Sequence, residues 1–141
     1  MHRRGHRRDF DTIVAVPSSK DRPGPHPLEI ALGALPTVKP MVATLLRTGA
    51  TPIDDTRKAH DNAFEAVAAA NGRRVLIIDH TFVTGARVQS AASTLAQAGA
   101  DVVAALVLGR VIGFRPSYPE NRALWDRAVA TGFSFDTCCL E

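Results

Sequence analysis

The segment Val75-Leu76-Ile77-Ile78-Asp79 constrains the fold more than any other part of this chain. Four consecutive apolar residues, three of them β-branched, stop at a carboxylate. That is the pattern of a parallel strand covered on both faces. A parallel strand needs a crossover to reach its neighbour, usually a helix. The sequence supplies one directly. Val88, Ala91, Ala92, Leu95 and Ala96 recur at the spacing of a single helix face, so residues 87–98 are predicted helical and Gly99 ends them. Val102 to Val107, continuing toward Ile112, is then predicted as the next buried strand. Such a strand–helix–strand unit implies a right-handed crossover in a parallel sheet.

Upstream, Thr12 to Val16 is a short β-branched run ended by Pro17, predicted to be another buried strand. Together these runs predict an α/β chain, a Rossmann-like three-layer domain with a central parallel sheet. The connecting segments are less regular. Residues 17–27 contain Pro17, Pro23, Gly24, Pro25 and Pro27 and are expected to form a long polar loop. Residues 28–35 and 38–46 are predicted helices, and residues 48–60 a second polar loop. The Ala-rich residues 62–70 are predicted helical, with Asn71-Gly72 as a helix stop. Residues 80–86 are expected to be a loop and residues 114–120 a turn-rich link. A last helix runs from a capping Asn121 to Ala130, with Leu124, Trp125, Ala128 and Val129 apolar. The expected organisation is a basic tail over 1–10, one domain over 11–130, and a C-terminal tail over 131–141.

Charge has to be located before it is interpreted. The chain has 141 residues and a net charge of +3, from 17 basic and 14 acidic side chains. Its first eight residues hold Arg3, Arg4, Arg7 and Arg8 and no acid, leaving 13 basic against 14 acidic residues elsewhere. The basicity therefore belongs to the tail. Nucleic-acid binding is expected only weakly and through that tail, because four arginines make few phosphate contacts. No run of 18 apolar residues occurs, so no membrane partner is expected, and the N-terminus lacks the apolar stretch of a secretory signal. Cys138 and Cys139 are adjacent, which suits neither a relaxed mutual disulfide nor a complete zinc tetrahedron. Reduced thiols in a cytoplasmic protein are the expectation.

In an open parallel sheet, ligands bind beyond the C-terminal ends of the strands. Two such ends carry polar loops here. One is Pro17-Ser18-Ser19-Lys20-Asp21-Arg22, and the other runs from Asp79 to Arg87. The second enters a helix through Thr84-Gly85-Ala86. Small residues there let backbone N–H groups approach an anion, and the helix start adds partial positive charge. Arg87 in the first helical turn opposes the macrodipole by about 0.3–1 kcal/mol, a conflict that a bound phosphate would remove. Asp79 faces the same crevice, where a carboxylate accepts hydrogen bonds from sugar hydroxyls. A helix cap or a structural salt bridge is the other role open to it.

Val75 to Arg87 resembles the phosphoribosyl-diphosphate (PRPP) signature of type I phosphoribosyltransferases: four apolar residues, two acids, then a short loop ending in Thr-Gly. Val14 to Lys20 is similar to the pyrophosphate loop of the competence-associated (ComF-type) branch. The stretch Arg57 to Phe64, with Asn62, also resembles that branch, so the likeness covers about residues 11–112. The resemblance implies the type I phosphoribosyltransferase fold, with the hood segment short or absent. Asp79 and His80 would be catalytic, with Asp79 facing the ribose hydroxyls and, indirectly, magnesium. Thr81, Phe82, Val83, Thr84, Gly85, Ala86 and Arg87 would surround the 5-phosphate. Ser18, Ser19, Lys20 and Arg22 would hold the pyrophosphate. The cofactor would be magnesium, the partners PRPP and a small nitrogenous acceptor, and the assembly a homodimer.

The chain departs from the signature at His80, which stands where the family carries its second acid. Histidine offers a base or a hydrogen-bond donor there instead of a second carboxylate. This departure motivates the alternative expectation, a non-catalytic PRPP-binding or DNA-uptake module on the same scaffold. Neither a P-loop nor a Gly-x-Gly-x-x-Gly fingerprint is present.

Overall fold

Strand β4, Arg74–Phe82, is the central strand of the sheet. It lies between β1, Thr12–Ala15, and β5, Asp101–Arg110, and both pair with it in parallel. The computed structural model describes residues 9–18, 24–50, 58–113 and 120–130. Its contacts divide the chain into two units, Met1–Arg110 and Val111–Glu141. The first unit is an α/β arrangement around the three-stranded parallel sheet, as the apolar runs require.

The two faces of this sheet are covered differently. Side chains alternate along a strand, so Val75, Ile77 and Asp79 share one face of β4, and Leu76, Ile78 and His80 share the other. Helix α2, Ala86–Gln97, covers the first face. Its Ala91 and Leu95 join Val14, Val16, Val75 and Ile77 in one buried cluster. Each such Val, Leu or Ile contributes about 1.5–3 kcal/mol by leaving water. Helix α1, Pro27–Gly33, serves the second face. There Leu28 meets Ile13, Ala15 and Ile78.

The ends of α2 follow from its sequence. Gly85, at φ +82°, forms the N-cap, a backbone conformation that only glycine adopts without strain. At the other end Gly99 has φ +92°. The Gly99 N–H donates to the Ala96 carbonyl and the Ala100 N–H to that of Leu95, the Schellman pattern. The turn at Asn71-Gly72 is tied to this end, since the Gly72 N–H donates to the Gly99 carbonyl.

Three segments of the first unit outside the strand-end turn differ from expectation. Residues 62–70 contain β3, Phe64–Ala66, rather than a helix; it pairs antiparallel with β2, Leu46–Thr48. Burial of Phe64 and the Arg47–Glu65 cross-strand ion pair, 2.6 Å, override the helical propensity of the alanines. Residues 38–46 form only a 3-10 turn at Lys39–Met41 before β2 begins. The chain leaves the helical region at Val42, where ψ is 126°, and the Ala43 N–H donates to the Ile13 carbonyl, so pairing with β1 replaces further helix. Finally, β5 is an edge strand with no fully buried residue, and Leu106 and Leu108 are 49% and 64% exposed.

The second unit contains α3, Glu120–Ala130. Asn121 lies within this helix rather than capping it, and its side-chain amide donates to the Gly113 carbonyl at 2.8 Å. Arg122 and Asp126 form an i,i+4 ion pair.

Candidate functional site at the strand ends

Two of the three parallel strands deliver chemistry to the C-terminal edge of the sheet, and the third adds one cation. Strand β4 runs farther than its apolar core suggests. Thr81 pairs with Gly109 and Phe82 with Arg110, so His80, Thr81 and Phe82 lie in the strand and only Val83, Thr84 and Gly85 separate it from α2. Threonine and phenylalanine suit a pleated, half-covered surface, and the length of β5 gives them a partner. The connection expected over 80–86 is therefore a three-residue turn.

Asp79 is 3% exposed on the α2 face. Its Oδ1 accepts the backbone N–H of His80 at 2.8 Å and lies 3.3 Å from the His80 Nδ1. The His80 side chain is more than half exposed. The two residues thus sit in opposite media: a sequestered carboxylate lies beside an imidazole that remains open to solvent. The His26 ring stands 6.1 Å from that of His80. His26 caps α1 by accepting the Leu28 N–H on Nδ1, which requires that nitrogen to be unprotonated.

The turn after β4 is narrow. The Ala86 N–H donates to the Thr84 hydroxyl at 3.3 Å. A Cβ on Gly85 would lie 2.9 Å from the Phe82 ring, so the ring packs directly on the turn. The Arg110 guanidinium lies 5.8 Å from the centre of that ring, a cation–π contact. Val83 is exposed and Ala86 is buried.

Arg87 does not extend away from the protein. Its Nη2 donates to the Pro17 carbonyl at the end of β1, and its guanidinium lies 5.2 Å from the centre of the Phe64 ring. Burial pushes Arg87 below its ordinary pKa, and the negative charge of Asp79 opposes that shift. The next carbonyl of the β1 loop, that of Ser18, accepts the Thr48 hydroxyl at 3.2 Å.

The structure therefore brings Asp79, His80, Thr81, Phe82, Val83, Thr84, Gly85, Ala86 and Arg87 to one edge, with Ser18 at the neighbouring strand end. Ser19, Lys20 and Arg22 lie outside the described residues, as do the arginine tail, Cys138 and Cys139. Sequence reading gave no role to His26, Thr48, Phe64 or Arg110. Arg110 was findable, because it ends a strand of the parallel sheet. The other three reach the site through contacts that no local pattern announces. Among the described residues, no helix is long and apolar enough to cross a membrane, and no three His, Cys, Asp or Glu side chains cluster as metal ligands. Compared with known protein families, curated proteins and solved structures, the chain matches none.

Proposed function

We propose that this chain is a type I phosphoribosyltransferase-like protein of the ComF-type branch, which binds magnesium–PRPP and transfers phosphoribose to a nitrogen acceptor. The observation that carries the reading is the buried carboxylate of Asp79 near the end of the central parallel strand, followed by a tight Thr84-Gly85 turn into α2. That combination suits a ligand with hydroxyls next to a phosphate. In this reading Asp79 accepts hydrogen bonds from the ribose hydroxyls. Thr81 to Ala86 surround the 5-phosphate. Ser18, Ser19, Lys20 and Arg22 take the pyrophosphate. Magnesium arrives with the substrate, since it is ordinarily held by one or two carboxylates together with substrate phosphates.

The reaction breaks the bond between C1 of the ribose and the pyrophosphate oxygen and forms a C1–N bond to the acceptor. The leaving group departs as pyrophosphate, and the acceptor nitrogen gives up a proton. Positive charge develops on the ribose ring as the bond breaks, so the cations around the pyrophosphate and the Asp79 carboxylate near the ring both favour the transition state. In this reading the solvent-facing His80 accepts the proton.

Calorimetric titration with PRPP, with and without magnesium, tests the reading. Binding should be magnesium-assisted, and Asp79→Asn should weaken it at least about tenfold, as expected when a charged hydrogen-bond acceptor is lost. Absence of heat at millimolar PRPP would sink the proposal. The histidine at position 80 favours a second reading, a PRPP sensor or DNA-uptake module without turnover. Pyrophosphate release across a panel of bases and amines separates the two.

A further inference from the structure

The Arg87 guanidinium joins three separate parts of the described site. Its edge donates to the Pro17 carbonyl, its face covers the Phe64 ring of β3, and it stems from the first turn of α2. Pro17 opens the β1 loop and has no backbone N–H, so its carbonyl is the main-chain group by which another element can hold it. Turning outward to a phosphate would forfeit the carbonyl bond, the ring contact and the field of Asp79 together. A planar guanidinium uses its edge and its face at once; an ammonium does not.

We propose that Arg87 is a positioning residue, which fixes the spacing between the β1 loop at Pro17-Ser18 and the turn at Thr84-Gly85, rather than a phosphate ligand. The inference rests on the reading above, in which one ligand presents an anionic group to each of these two places. In that reading the ligand is a sugar carrying phosphate at both ends, whose affinity exceeds that of either half because the two grips are held in register. The Thr48–Ser18 hydrogen bond secures the same loop from β2 and supports the same function.

The test compares three probes by calorimetry on the full chain: ribose 5-phosphate, magnesium pyrophosphate and magnesium PRPP. Arg87→Met should leave each half-ligand within about threefold of wild type while lowering PRPP affinity roughly 10- to 100-fold, the signature of a lost linkage advantage. Arg87→Lys should not restore PRPP binding, because charge alone is insufficient. Loss of ribose 5-phosphate affinity in Arg87→Met, or full rescue by Arg87→Lys, would overturn the inference while leaving the PRPP reading intact. If wild type binds none of the three probes, both fall. Should Arg87→Met fail to fold by circular dichroism, Phe64→Leu removes the ring beneath the guanidinium. The same selective loss of PRPP affinity is then expected, and its absence overturns the inference.

Discussion

The two faces of the central sheet are built from the same three strands yet do different things. On the α2 face, Val75, Ile77 and Leu95 are wholly buried, and the layer reaches the partly buried Val102 of β5. On the α1 face, the buried cluster stops at Ile78, and its register partner Leu106 remains half exposed. The site divides along the same line. Asp79 and Arg87 belong to the closed side, where charge is desolvated and geometry is held. His80 and Phe82 belong to the open side, where His80 meets solvent. One residue of strand periodicity separates a buried carboxylate from a solvent-exposed imidazole.

Substitutions can break this contrast, and the largest effect should come from the closed face. Leu95→Ala should destabilise the protein by about 2–5 kcal/mol, and Leu106→Ala on the open face by about 1 kcal/mol or less. Urea denaturation of both variants measures the difference, and equal losses would show that the faces are energetically alike. A smaller effect is expected where β4 turns into α2. Gly85→Ala should cost about 1–3 kcal/mol, because φ +82° disfavours an L-residue and the added methyl meets the Phe82 ring. The same variant should weaken ribose 5-phosphate binding, whereas Leu106→Ala should not.

The smallest effect should come from the opposite edge of the sheet, remote from both faces. The Thr12 hydroxyl and the Arg74 N–H both donate to the Asp11 carboxylate and hold its pKa below the ordinary value. A depressed carboxylate pKa stabilises the fold above the unfolded value, near 4, and that contribution disappears as pH falls through the folded value. The melting temperature should therefore drop on acidification below about pH 4, and Asp11→Asn should flatten part of that slope. An unchanged slope would remove Asp11 from the account.

What was legible in the sequence was what is local. The run Val75 to Ile78, the 87–98 periodicity and the glycine at 99 each encode their element within a few residues, and β4, α2 and β5 appear where they require. The strand at Phe64 was hidden because its partner, β2, confers its conformation from outside the segment. The two ends of β4 illustrate the same limit. Its apolar core is unmistakable, but its extension through Phe82 depends on Gly109 and Arg110 lying alongside. Within the site, the succession of Asp79 and His80 near a strand end and a Thr-Gly turn into a helix was readable. The engagement of Arg87 with Pro17 was not, because the partners lie 70 residues apart and meet only once the sheet exists.

The strand order also makes assembly of the sheet asymmetric. β5 follows β4 with only α2 between them, so their pairing closes a short stretch of chain. β1 must instead be brought back across a long excursion, with Asp11 and Arg74 separated by 63 positions. Loop-closure entropy rises by about 0.6 kcal/mol for each doubling of loop length, and long-range contacts repay it only after they form. β1 is thus the strand whose attachment costs most chain entropy. It is also the strand that brings Pro17 to Arg87, so the pairing hardest to close during folding is the one that brings the two halves of the candidate site together.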